Sequence, residues 1–216
     1  MSSVVLKRTC MRDQIRDALV ARILDGSYPA GTQLKELTLA REFNVSQAPI
    51  REALRELEGS GLVSSERFRG TRVRGADFKE MRESYELRIM LEVRSVALAS
   101  PCVPQVLSDL EEYLHEMDAS LKKDDQERYI DHALRFHRRL VESSGNRTFL
   151  SVWDSLLWDV RGRIALRRLA ETGKSLRPLI AMHRSVIARL RSGDADGAGQ
   201  RVREILERVS SAFVAE

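Results

Sequence analysis

The sequence predicts a mostly α protein in two parts. The first is an N-terminal winged helix-turn-helix of three helices plus a small β-hairpin wing, and the second is a C-terminal all-α six-helix antiparallel bundle. Three observations carry this expectation. Residues 35–59 hold two short amphipathic segments around a three-residue turn. Residues 63–75 alternate about a glycine and are rich in arginine. From residue 77 onward, helical periodicity is interrupted chiefly by proline and glycine breaks.

The first helix is expected over about 11–25, where Ile15, Leu19, Val20, Ile23 and Leu24 share a face, with Gly26 ending it and Tyr28-Pro29-Ala30-Gly31 turning the chain. The second runs from about Lys35 to Phe43, with Leu37, Leu39, Ala40 and Phe43 apolar. The third runs from Gln47 to Gly59, with Ile50, Ala53, Leu54 and Leu57 at three- and four-residue intervals. Asn44 in the link tolerates left-handed φ, Val45 can plug the gap, and the Ser46 hydroxyl can accept from free N–H groups of the third helix. Pro49 falls in the first turn of that helix, where its missing N–H costs little. A sharp inter-helix angle follows, leaving the N-terminal half of the third helix facing outward. The wing comes next: Ser64-Ser65-Glu66 and Thr71-Arg72-Val73-Arg74 flank Arg67-Phe68-Arg69-Gly70. Four arginines and no acid lie between Arg67 and Gly75. Such a hairpin beside a helix-turn-helix can lie along phosphate or in a minor groove.

Charge is distributed to match. Through Gly75 there are 13 Lys and Arg against 9 Asp and Glu, a surplus of four, while the remainder has 23 of each, so the whole net +4 belongs to the first third. A basic head on a neutral body fits a polyanion that meets only the head. With 43% hydrophobic and 31% charged residues, no apolar run approaches the ~18 residues of a membrane span. Met1 to Cys10 lacks the apolar core of a signal peptide, so a cytoplasmic location is expected and no membrane partner. Cys10 and Cys102 have neither pairing nor metal spacing. No Ser-His-Asp or Cys-His arrangement, Gly-rich phosphate loop or HExxH spacing is present, and an enzyme is not expected.

Gly75-Ala76-Asp77 reads as a hinge, giving a DNA-binding domain over 1–75 and a helical domain over 76–216. Six helices are expected in the latter, at about 77–99, 104–123, 126–143, 147–170, 175–192 and 194–213. The breaks are Pro101 and Pro104, Gly145-Asn146, Gly173 with Pro178, and Gly193-Asp194. Short loops between neighbours mean a bundle. His137 shares its face with Ile130, Ala133, Leu134 and Val141, and His183 shares its face with Ile180, Val186, Ile187 and Leu190, so both should point inward. His115 falls on a polar side and His132 near an edge. Trp153 fits a buried stripe with Leu150, Leu157, Val160 and Ile164. Trp158 falls off it, and Arg161, Arg163, Arg167 and Arg168 read as a solvated or dimer-facing surface.

The segment LAREFNVSQAPIREALRELEGSGLV resembles the winged-helix signature of GntR transcriptional regulators in the order of Leu39-Ala40, Val45-Ser46, Pro49, Arg51-Glu52-Ala53-Leu54, Leu57-Glu58 and Gly61-Leu62-Val63. In the body, Glu86-Leu87-Arg88 with Leu91-Glu92, Phe136-His137, Ser144-Gly145-Asn146, His183 and Gly193-Asp194 with Ala198 follow the FadR-type branch. That branch carries an all-helical FCD (FadR C-terminal) domain. The likeness covers nearly the whole chain. It implies a homodimer on an inverted-repeat double-stranded DNA operator, a repressor rather than an activator, whose grip changes when a small-molecule effector enters the helical domain. A dimer suits this, because one helix and one wing read only a few base pairs. Two alternatives remain: a DNA-architectural or dimerising adaptor without effector, and a metal-dependent enzyme on the helical body.

The resemblance places Lys35, Arg41, Ser46, Gln47, Ala48, Arg51 and Arg55 on the DNA side of the helices, and Arg67, Arg69, Gly70 and Arg72 in the wing. Leu37 stands where the family has arginine, and Gln47-Ala48 where it has Arg-Thr. Gln47 either pairs with adenine N6 and N7, shifting the operator, or is a solvated first-turn residue. For the effector the implied residues are Tyr85, Arg88, His137 and His183. Arg88 either pairs with Glu92 one turn on, or faces the cavity, where its fork of donors would suit a small organic acid. Many FCD domains hold a divalent metal, Zn or Ni, on one aspartate and three histidines. The matching positions here are Ala133, His137, His183 and Ile205, so two ligands remain. Such a pair binds metal weakly by itself, and the two histidines are expected to hydrogen-bond each other, water or the effector.

Overall fold

The computed structural model describes residues 11–24, 26–59, 61–66, 69–74, 78–99, 101–156 and 158–213. The expected hinge at Gly75-Ala76-Asp77, the wing residues Arg67 and Phe68, Cys10, Leu157 and the Leu24 side chain lie outside the described residues. The chain divides into two compact units, 1–77 and 78–216.

In the first unit, helices α1 (Met11–Leu24) and α2 (Glu36–Glu42) both pack on α3 (Gln47–Gly59). Ile15 and Leu19 of α1, Leu39 of α2, and Ile50, Ala53, Leu54 and Leu57 of α3 are buried together. Arg12 Nε lies 2.9 Å from Glu56 Oε1, tying α1 to α3 at the rim. Asn44 takes a left-handed φ of +52°, which an asparagine tolerates, and so turns α2 toward α3.

Two expectations need correction here. The wing is not a lone hairpin: β2 (Val63–Glu66) and β3 (Gly70–Val73) are joined by β1 (Gln33–Leu34), in the order β1-β3-β2, all antiparallel. Leu34 pairs with Thr71 and is buried, but two residues are too short to show alternation. Gly70 at φ +79° makes the turn; a Cβ there would sit 3.3 Å from Gln33 Nε2, which donates to the Arg69 carbonyl. Leu37 is not on the buried face of α2 but 51% exposed. Leu37 and Leu39 lie about 200° apart around a helix, so only one of them can face α3.

The second unit contains α4 (Phe78–Leu98), α5 (Pro104–Lys122), α6 (Gln126–Ser143), α7 (Arg147–Ser155), α8 (Trp158–Glu171), α9 (Arg177–Arg191) and α10 (Ala195–Ser210), closed by a 3₁₀ turn at Ser211–Phe213. Polar caps start three of them: Asp125 accepts from Arg128 N, Asn146 from Thr148 N and Phe149 N, and Asp194 from Gly197 N. Helix α6 lies against α4, α5, α7 and α8, while α10 covers α4 and α9. Gly162 on α8 permits a close approach to α6, since a Cβ there would meet Leu134 Cδ2 at 2.4 Å.

The bundle has seven helices among the described residues, not six, because the helix expected over 147–170 is broken between α7 and α8. Trp153 and Trp158 are both buried in the same core. Five residues on a continuous helix would set them about 140° apart, on different faces; the break turns both inward. Trp158 therefore serves interior packing, edge-on to Tyr85 with ring centroids 5.4 Å apart. Arg161 is also not surface. It is buried on α8, donating from Nη1 to Ser84 Oγ at 2.7 Å and from Nη2 to Glu80 Oε1 at 3.0 Å. Arg163 and Arg167 are half-buried, pairing with Glu127, and Arg168 donates to the Ala212 carbonyl while its guanidinium caps the Phe78 ring.

Candidate functional site

Among the described residues each unit carries an arrangement of candidate site residues. In the first, Lys35, Arg41, Ser46, Gln47, Ala48, Arg51, Arg55, Arg69, Gly70 and Arg72 are all exposed, while Arg67 lies outside the described residues. Lys35 is the residue before α2, and Gln47, Ala48 and Arg51 fall in the first turns of α3. An open groove along α2 and the turn into α3 is lined by Leu37, Arg41, Asn44, Ser46 and Gln47. Arg51 meets Glu36 of α2 edge-on, with Nε 3.2 Å from both carboxylate oxygens and Nη2 2.9 Å from Oε2. Glu36 is a site residue the sequence reading missed. It lies 15 positions from Arg51, and no periodicity links two helices across a turn. Arg69 pairs with Glu66 at 3.1 Å, and Arg72 Nη1 donates to the Gly31 carbonyl at 3.0 Å.

The second unit encloses a cavity between α4, α6, α8, α9 and α10. Its polar wall is Tyr85, Arg88, Tyr129, His137 and His183, and its hydrocarbon wall includes Ala133, Leu134, Leu166, Ile205, Leu206 and Val209. The space between these side chains is about 300 Å³, of which about 20 Å³ is wide enough to centre a water. The four residues expected to meet an effector are thus placed together.

What holds them is a chain of buried polar contacts. Arg88 Nε donates to Glu92 Oε1 at 2.6 Å, Glu92 Oε2 lies 2.5 Å from His137 Nδ1, and His137 Nε2 lies 3.3 Å from His183 Nε2. The far nitrogen of His183, Nδ1, reaches the Leu179 carbonyl at 2.6 Å. Trp153 Nε1 lies 3.4 Å from Glu92 Oε1, and the Arg88 guanidinium sits 4.9 Å from the Trp158 ring centroid. Arg88 therefore does both things the sequence left open: it pairs with Glu92 and it lines the cavity. Glu92, fully buried, is the second residue the sequence reading underestimated. It was visible only as a helical neighbour of Arg88, yet it is the hub joining α4, α6 and α7.

Electrostatics follow from this geometry. Burial alone would push the Glu92 carboxyl up, but the charges of His137 and Arg88 outweigh it and hold it down at about 2. Burial, and then the charge of His137, depress the His183 imidazole to about 3, so it is neutral at ordinary pH. The hydroxyls of Tyr85 and Tyr129 are buried with no hydrogen-bond partner among the described residues. Burial drives both phenols upward, Tyr85 to about 12.

A divalent metal does not fit this donor set. Ala133 and Ile205 present hydrocarbon where the resemblance would need an aspartate and a third histidine. His137 Nδ1 is taken by Glu92 and His183 Nδ1 faces a backbone carbonyl, which leaves two imidazole nitrogens against the four donors of a closed zinc site. Among the described residues no group of three or more His, Cys, Asp or Glu could hold an ion.

Comparison with known proteins bears on both units. Residues 11–73 match the gntR family of bacterial regulatory proteins, and residues 83–208 match the FCD domain. The chain is 30% identical over 195 residues to a gluconate operon transcriptional repressor of Bacillus licheniformis, covering 88% of this chain and 80% of that protein. It is 29% identical over 191 residues to a probable D-xylose utilization operon transcriptional repressor of Paenarthrobacter nicotinovorans, covering 88% and 83%. Among solved structures, E. coli McbR/YncC superposes with a TM-score of 0.78 at 25% identity, covering 95% of this chain and 97% of that one. The chain belongs to the GntR family of bacterial regulatory proteins with an FCD domain: it is a DNA-binding transcriptional regulator and not an enzyme.

Proposed function

We propose that the protein is a homodimeric repressor that binds an inverted-repeat operator through α3 and the wing and changes its grip when a small organic acid enters the cavity of the helical unit. The observation that carries this reading is the buried cluster of Arg88, His137 and His183 around a cavity in a chain whose other unit exposes a basic, groove-sized face. Exposed arginines at the start of α3 suit base edges and phosphates, and the wing arginines suit the flanking backbone. Twofold pairing doubles a contact that one protomer makes over only a few base pairs. The relatives named for gluconate and D-xylose operons carry the word repressor in their names, which supports that sign of regulation. Among the described residues no helix is long and apolar enough to cross a membrane, in keeping with a regulator that works in the cytoplasm.

Helix α4 carries Tyr85, Arg88 and Glu92 and is the first helix after the DNA-binding unit in the sequence. A ligand that bonds the outer nitrogens of Arg88 acts on α4, the helix that follows the head in the sequence. Fluorescence anisotropy on duplexes selected from a random pool tests the reading. The expected result is an inverted repeat bound by two chains, weakened by an organic acid and lost in Arg51→Ala. No association with any duplex at low ionic strength would defeat it.

A further inference from the structure

The cavity has two phenols without partners, one guanidinium held only along one edge, and a hydrocarbon wall where a metal would need ligands. The Tyr85 and Tyr129 hydroxyls are both fully buried and unpaired among the described residues, and both line the same space. Buried donors left unmade are costly, so their persistence at one cavity points to a ligand that accepts from them. Glu92 engages Arg88 through Nε, leaving the outer Nη groups for whatever enters. His183 Nε2 is the neutral imidazole's remaining site, aimed at His137. Every polar atom therefore comes from α4, α6 or α9.

The rest of the wall cannot satisfy polar groups. Seven of the twelve lining side chains are hydrocarbon, including Ile205, Leu206 and Val209 on α10 and Leu166 on α8. A polyhydroxy acid would bury several hydroxyls against this wall without partners, whereas an alkyl chain would simply exchange water for hydrocarbon. The small space also limits size. With room to centre about one water in its present form, the cavity takes a compact ligand only if its side chains shift, and an extended one only if they shift further.

Resting on the reading of this cavity as an effector site, we infer that it is a metal-independent receptor for a short, branched or unbranched aliphatic monocarboxylate. Its carboxylate is held by Arg88, Tyr85 and Tyr129, and its alkyl body lies against α8 and α10. The class differs from the sugar acid in the name of the Bacillus licheniformis relative.

Thermal shift and titration calorimetry on the full-length protein test this with isobutyrate, isovalerate, isovaleramide, gluconate and D-xylose, each with and without EDTA. Isobutyrate or isovalerate should raise Tm by a few degrees regardless of EDTA, with the uncharged amide and both sugars inert. Tyr129→Phe, which removes one hydroxyl and leaves the packing, should weaken isovalerate roughly tenfold. Ala133→Leu, which fills part of the cavity, should block it. If gluconate or xylose stabilises the protein and the alkyl acids do not, or if EDTA abolishes the response, the inference is wrong and the effector reading stands. If no compound of either class shifts Tm, the effector reading falls with it.

Discussion

The protein contains two arginine–glutamate pairs of the same chemistry in opposite surroundings. Arg51 and Glu36 meet on the exposed face of the first unit, with 53% and 34% of their side chains accessible, while Arg88 and Glu92 meet with 3% and 0% accessible in the second. Water screens the first pair, so it adds little to stability and its arginine can trade the glutamate for a phosphate or a guanine. The second pair has no water to fall back on. Its charges are compensated only by each other, His137 and the surrounding rings, so it is fixed in place and fixes the cavity with it. One pair is an exchangeable contact, the other a permanent wall.

The comparison breaks most sharply at Glu92. Glu92→Ala strands the buried Arg88 and His137, and should cost about 3–5 kcal/mol in urea unfolding. Glu36→Ala should leave the unfolding midpoint close to wild type. Equal losses from the two would mean that burial is not what separates the pairs. The next largest effect is on DNA: Arg51→Ala should lower duplex affinity at least tenfold at low salt, with little change in thermal stability, whereas a matching fall in Tm would make Arg51 structural.

Acid should also separate the units. Glu92 sits at about 2 in the folded protein against the usual 4.5, so its contribution is present above the usual value and lost as pH falls toward 2. His183 sits at about 3 against 6.5. Because the unfolded chain takes up its proton first, stability falls from about pH 6.5 downward. Acid titration followed by tryptophan fluorescence, which reports only on Trp153 and Trp158, should show a helical unit losing stability below pH 6.5. His183→Gln should flatten that limb, and an unchanged slope would remove His183 from the account. The smallest effect is on specificity. Gln47→Arg should change the preferred operator at one position per half-site with little change in stability, and identical selected sites would make Gln47 a solvated residue.

How far the sequence could be read depended on the distance over which each feature is decided. In the first unit the decisive signals are local. Asn44 for the turn, Pro49 for the helix start and the spacing of Ile50, Ala53, Leu54 and Leu57 each act within a few residues. The charge surplus needed only counting. In the second unit the breaks at Gly145-Asn146 and Gly193-Asp194 were equally legible, and Asn146 and Asp194 cap the helices that follow them, whereas the Asp125 cap, with no glycine or proline beside it, went unread. His137 and His183 could be turned inward from their stripes, and Arg88 could be given its two possible partners.

What the chain could not announce is whatever requires two distant segments to meet. The strand β1 exists because β3 offers it an edge, and Leu37 is exposed because Leu39 occupies the face toward α3. Helix α8 starts afresh because Trp153 and Trp158 must enter one core, and Arg161 is buried because Glu80 and Ser84 wait on another helix. Glu92 looked like a routine helical neighbour until α6 brought His137 to its other oxygen. Hydrophobic period and capping are properties of the covalent chain, set by helix geometry alone. Partnership among buried charges is a property of packing, because only the folded interior removes the water that would otherwise satisfy each group separately.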